Sequence, residues 1–276
     1  MSRLLLVLSG MLILLTQMHA QDFIWKTVPV DGSITGCKAS TVDNIDKTIG
    51  VITPDGTYYS PSGKVFSKNS ATAKVAASVL AAQPQMADLK KVVAYSEDEM
   101  RRSRTESPLS NWFVNLVMDK VSSLSGKECE VGICNFGGIR QGMPKGDVLL
   151  DDIQSMFPFK NYLVHLEMKG SELRKVFESM AEGVFQAVAG AHIEVVDKKL
   201  RTVIIAGDPL EDDKVYDVAT ISFLLNGGDG LRLAEGALSV NQYEVLISEA
   251  VLEYVNTLTA EGKPISAPDV QYVVIR

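Results

Sequence analysis

The chain has 276 residues, 46% hydrophobic and 22% charged, with a formal net charge of −7. That acidity argues against a nucleic-acid polymer as partner, since such binding rests on Lys and Arg contacts to phosphate; a small anionic ligand needs only one or two local arginines. The length supports a buried core without staples, and the three cysteines, Cys37, Cys129 and Cys134, leave at least one thiol unpaired.

Residues 1–20 carry Arg3, a leucine-rich run and then Met18-His19-Ala20, which is a positive start, a short apolar core and a small residue at a cleavage point. The run is shorter than the roughly 20 residues of a spanning helix. It predicts a cleaved secretory signal and an exported protein, periplasmic or extracellular. Losing Arg3 with it takes the formal charge from −7 to −8.

Residues 21–90 predict a β-rich extension with one helix, packed on a main domain at 91–276. Within the extension, apolar and polar residues alternate between Asp31-Gly32, Pro54-Asp55-Gly56 and Ser60-Pro61-Ser62-Gly63. This is the pattern of short strands joined by hairpins, at 23–30, 51–53, 57–59 and 64–66. Residues 71–82 predict an Ala-rich helix ended by Pro84. A strand is expected at 89–95 and a charged turn at 96–104. Pro108 then opens a helix with Leu109, Phe113, Leu116, Val117 and Val121 on one face and Asn111 and Asp119 off it.

Further strands are expected at 131–134, 148–150, 162–168, 191–196, 201–206, 216–225 and 270–275. A short helix reaches Met156, a second runs over 172–183 behind a Gly170-Ser171 cap, and a long one spans 244–258. Strands and helices mix without strict alternation, which favours α+β over a doubly wound sheet. Cys129 and Cys134 either pair around the loop that follows or sit as small buried residues, and His165 and His192 read as structural.

Three stretches carry the chemistry. Asn135-Phe136-Gly137-Gly138-Ile139-Arg140 joins a glycine pair, which lets backbone approach a ligand, to a planar guanidinium suited to phosphate. Phe157-Pro158-Phe159-Lys160-Asn161 looks like a loop tip. Phe223-Leu224-Leu225-Asn226-Gly227-Gly228-Asp229-Gly230 delivers a second glycine loop. Two aromatics, an arginine and a carboxylate are what a nucleotide asks of a site: faces for the base, acceptors for ribose hydroxyls, a cation for phosphate. Taken alone, Phe159 and Phe223 read as core residues, Arg140 as a solvated side chain and Asp229 as a turn former.

In order and spacing these stretches resemble the Asn-x-Gly-Gly-Ile-Arg motif and two further signatures of the C-terminal domain of 5'-nucleotidases, over roughly residues 90–260. The resemblance implies an α+β fold with a layered α/β/β/α arrangement and mixed sheets. It also implies a pocket. Phe159 and Phe223 stack on the base, Asn135 bonds it, Asp229 holds ribose, and Gly137, Gly138 and Gly228 shape the loops. Arg140 takes phosphate, and Asn161 matches a site asparagine of some members. A further phosphate arginine falls by count on Ser103, so Arg104, or else Arg102, is expected to substitute. Phe136 and Lys160 depart from glycines common in the family, and Lys160 adds a cation within reach of phosphate.

A complete 5'-nucleotidase resembling the family also carries a two-metal phosphatase centre built from His, Asp and Asn. After residue 20 only His165 and His192 remain, with no Asp-x-His, Gly-Asn-His-Glu or Gly-His-x-His. The expectation is therefore that this chain binds no cofactor of its own. Divalent metals would come from a separate exported metallophosphatase, and this chain would be the nucleotide-recognising part. Two alternatives stand beside it: a stand-alone nucleotide- or nucleoside-binding protein without hydrolase activity, and a scaffold whose pocket no longer binds.

Overall fold

A computed structural model describes residues 45–276. The signal-peptide reading, the 23–30 strand and Cys37 lie outside the described residues. The chain divides into two compact units, Met1–Ala73 and Lys74–Arg276, so most of the Ala-rich helix groups with the larger one.

In the first unit a short helix α1 (Ile45–Thr48) precedes three antiparallel strands, β1 (Val51–Ile52), β2 (Tyr58–Tyr59) and β3 (Val65–Phe66). Both expected hairpins form. Asp55 closes the first turn by accepting from the hydroxyls of Thr53 and Thr57, and the Tyr58 ring stacks on Phe66 at 5.8 Å.

Helix α2 (Ala71–Met86) begins where the Ser70 hydroxyl accepts the Ala73 N–H. Pro84 does not end it: the helix runs on to Met86. A proline in the last turn forfeits only its own N–H bond, and the chain tightens at once into a 3-10 turn, Ala87–Lys90, that absorbs the distortion.

In the larger unit, β4 (Val92–Ser96) leads through an irregular segment to α3 (Pro108–Ser125). Helix α3 has a capping box between Ser107 and Ser110 and proline in its first turn, and it ends on left-handed Gly126. It is buried on more than one face: Ser110, Asn111, Trp112 and Val114 are as covered as the expected apolar stripe. Asn111, expected off the core face, is inside because its amide donates to Glu106 Oε1 at 2.8 Å and to the Val270 carbonyl at 2.9 Å. A buried amide is tolerated when its donors are spent.

Then follow β5 (Val131–Cys134), β6 (Gly146–Leu149), α4 (Leu150–Met156), β7 (Tyr162–Lys169) and α5 (Gly170–Glu182). Next come β8 (Ala187–Ala189), β9 (Ala191–Val196), β10 (Lys199–Ile205), β11 (Asp208–Pro209) and β12 (Val215–Ile221). The chain closes with β13 (Ala237–Leu246), α6 (Ile247–Ala260) and β14 (Val273–Ile275).

While β4 and β6 pair antiparallel in a small sheet of their own, two mixed sheets organise most of these strands. The larger has strand order β13-β7-β12-β5-β8, with β12 parallel to β5 and the other pairs antiparallel; the smaller has order β11-β10-β9-β14, with β9 parallel to β14. The fold is α+β with mixed sheets, the class the resemblance implies. In the larger sheet β5 is fully buried and β7 and β12 nearly so, hence their near-continuous apolar runs.

Three strands were not expected from the sequence, among them β11, only two residues long. β8 is three buried residues, too short to alternate, and β13 is an irregular, half-exposed edge. The helix expected from residue 244 starts at Ile247: residues 244–246 belong to β13, and Glu249 marks the helix start by accepting the Leu246 N–H at 2.9 Å.

Candidate functional site

Sheet direction alone gathers the three chemical stretches. β5 and β12 run parallel and both end at one edge of the sheet, while antiparallel β7 begins there. The loops after β5, before β7 and after β12 must therefore meet. They line a cleft of about 270 Å³ whose walls are Asn135, Gly137, Gly138, Arg140, Phe159, Asn161, Phe223 and Asp229. All eight were singled out from sequence.

Each loop is fixed locally. After β5 the chain makes a 3-10 turn, Phe136–Gly138. Its glycines are needed for space rather than for unusual dihedrals: a Cβ on Gly138 would lie 2.7 Å from Asn135 Oδ1, and one on Gly137 3.1 Å from Asn135 Nδ2. The Asn135 amide thus lies flat against the turn, and its Nδ2 donates to Asp229 Oδ2 at 2.9 Å, tying the first loop to the third. Asn135 is 4% exposed, and its Oδ1 has no partner among the described residues.

In the second loop the two phenylalanines diverge. Phe157 turns inward against Phe113, rings 4.6 Å apart, while Phe159 stands 46% exposed. The Arg140 guanidinium lies 5.7 Å from the Phe159 ring centroid and makes one long bond to the Gly137 carbonyl, 3.4 Å, leaving most of its fork free. Phe223, in the turn Ser222–Leu224, is 43% exposed. The Ser222 hydroxyl accepts the Tyr162 N–H at 3.0 Å, joining the second loop to the third. β12 therefore stops at Ile221 rather than continuing to 225.

Gly228 is not on the wall. It supports Phe223 from behind, where a Cβ would fall 2.0 Å from the Phe223 carbonyl oxygen. Asp229 adopts a left-handed conformation, φ 47°, uncommon outside glycine and held here by Asn135. Arg102 and Arg104 are exposed and do not line the cleft; Arg101 beside them pairs with Glu99.

The family model for the 5'-nucleotidase C-terminal domain matches residues 87–236, more than half of the chain. The chain belongs to the 5'-nucleotidase C-terminal domain family. It is 29% identical over 131 residues to Protein UshA of Yersinia enterocolitica, covering 46% of this chain and 24% of that protein. It is 30% identical over 150 residues to the 5'-nucleotidase of Mus musculus, covering 46% of this chain and 26% of the relative. The chain spans about a quarter of the length of these curated relatives. The 5'-nucleotidase precursor from Thermus thermophilus shares the fold with a TM-score of 0.64 at 24% identity, over 74% of this chain and 43% of that one.

Within this 5'-nucleotidase C-terminal domain the two departures from common glycines fall away from the cleft. The Phe136 side chain is 3% exposed, in the core. Lys160 lines a neighbouring groove of about 460 Å³ that shares only Phe159 with the cleft. Sequence reasoning missed Gln186, a buried residue whose Oε1 accepts the Phe136 N–H at 3.1 Å; a lone glutamine carries no local signal.

Cys129 and Cys134 are both free and buried. Burial pushes the Cys129 thiol up to about 11 and raises Cys134 further, so neither is a nucleophile at neutral pH. Among the described residues no three His, Cys, Asp or Glu side chains gather at metal-binding spacing. The cleft offers one carboxylate, Asp229, whose Oδ2 already accepts from Asn135. A dinuclear metal centre does not fit these donors.

Proposed function

We propose that this domain recognises nucleotides for an exported 5'-nucleotidase-type phosphohydrolase, with the divalent metals held by a separate metallophosphatase that docks over the cleft. The observation that carries this reading is the pairing of Phe159 and Phe223. They are remote in sequence, yet stand exposed in one cleft whose remaining walls are polar and glycine. Large aromatics half in water at the mouth of a small polar cleft suit a flat, hydrogen-bonding ligand.

In this reading the rings take the two faces of a base, and Asn135, on the cleft wall, hydrogen-bonds its edge. Asp229 accepts from ribose hydroxyls. The free donors of Arg140 hold a 5'-phosphate, with Arg104 or Arg102 joining only if the exposed 101–104 segment swings in. The ligand is a nucleoside 5'-monophosphate or a related nucleotide. The scarcity of histidine in the whole sequence, three in 276 residues, supports placing the metals elsewhere, and the leader-like residues 1–20 support export.

Equilibrium dialysis of AMP against the wild type and a Phe159→Ala/Phe223→Ala double variant tests this. Stacking contributes roughly 1–3 kcal/mol per base on each aromatic in single-stranded nucleic-acid binders, so the variant should bind at least about tenfold more weakly. Equal retention of AMP by both proteins would refute the sandwich.

A further inference from the structure

We propose that Gln186 is a positioning residue for the cleft: its carboxamide oxygen fixes the turn carrying Asn135, and through it the Asn135–Asp229 pair, before any ligand arrives. The proposal takes its ligand from the nucleotide reading above and its geometry from the protein alone.

The β5–β8 ladder ends with Cys134 opposite Ala187. One step further, position 186 faces the start of the 3-10 turn. The two hydrogen bonds of that turn are Gly138 N–H to Asn135 O and Ile139 N–H to Phe136 O, each 3.2 Å. Neither uses the Phe136 N–H, which lies in a buried setting where an unpaired backbone donor is costly. Gln186 Oε1 accepts it at 3.1 Å, the side-chain amide taking the place of the next backbone rung.

Gln186 is 4% exposed and does not line the cleft, so it acts through the backbone rather than on a ligand. What it orients is the Asn135–Phe136 peptide, and hence the direction in which the Asn135 amide leaves the chain. That amide reaches Asp229 across the cleft at 2.9 Å. A site built on loops needs such outer supports, because loop backbone has no ladder of its own to hold it.

The test uses Gln186→Met, similar in length but without an acceptor oxygen, and Gln186→Glu, which keeps one. In the ligand-free wild type the Phe136 amide should exchange slowly with solvent deuterium. In Gln186→Met it should exchange at least about tenfold faster, while Gln186→Glu retains protection. An unprotected Phe136 amide in the wild type, or equal protection in Gln186→Met, overturns the proposal, and the wild-type arm stands even if the Met variant fails to fold.

Titration with adenosine and 2'-deoxyadenosine supplies a readout that a loss of stability would not move. Gln186→Met should lose the preference for the ribose form, since Asp229 is no longer aimed; Gln186→Glu should keep it. If both affinities fall by the same factor in Gln186→Met, Gln186 is merely structural. If the wild type binds neither nucleoside, the nucleotide reading fails, and amide exchange alone decides the role of Gln186.

Discussion

Asn135 shows how much of the cleft depends on one side chain. Its amide donates to Asp229 and lies so close over Gly138 that a methyl group there would meet Oδ1 at 2.7 Å. Gly138→Ala must therefore push the amide away from Asp229. Nucleoside affinity should fall by about tenfold or more while the variant unfolds as cooperatively as the wild type. Unaltered affinity in a calorimetric titration would show that the Asn135–Asp229 pair plays no part in binding. The residues on the cleft wall were legible because each belongs to a short motif. Arg102 and Arg104 were picked by counting residues, and counting says nothing of where an exposed segment points. Gln186 and the buried Asn111 were illegible for a related reason: their roles come from contacts far away in the chain.

Among elements, the α3–β14 connection rests on Glu106. Its Oε1 accepts from the Asn111 amide and the Tyr272 N–H, at 2.8 and 2.7 Å, and its Oε2 from the Val273 N–H at 3.0 Å. This carboxylate pins the start of α3 to the last strand, which otherwise pairs only with β9 along one edge. Charge-assisted bonds are the stronger kind, and Glu106→Ala leaves three donors without their acceptor. A loss of about 2–4 kcal/mol in urea unfolding is expected. A change below about 0.5 kcal/mol would mean that water replaces the carboxylate freely. Elements with strong periodicity or clear caps, such as α3 and β7, were readable. β8 and β13 were not, because three buried residues are too few for a pattern and the apolar alternation of β13 changes phase between Val240 and Tyr243. The true start of α6 was hidden because β13 runs straight into it, with no turn residue between Leu246 and Ile247.

For the molecule as a whole, the mixed order of strands and helices pointed to α+β, and sheet direction then explains why three distant loops share one edge. Which strands neighbour which was beyond any local pattern, since pairing across long separations leaves no mark on the sequence around it. The buried thiols report on the integrity of this arrangement. Cys129, raised to about 11 by burial, and Cys134, raised further at the end of β5, should resist alkylation by iodoacetamide at pH 8 in the native protein and label on denaturation, read by peptide mass spectrometry. Native labelling of Cys134 would mean that the core beneath the cleft opens.

The most direct measurement is metal-free calorimetric titration with AMP, adenosine and ribose 5-phosphate. A cleft that holds the base between Phe159 and Phe223 should give heat with AMP and adenosine, tighter with AMP because Arg140 adds the phosphate contact, and bind ribose 5-phosphate at least about tenfold more weakly than AMP. Ribose 5-phosphate binding as well as AMP, or no heat from any of the three, would contradict nucleotide recognition by this domain.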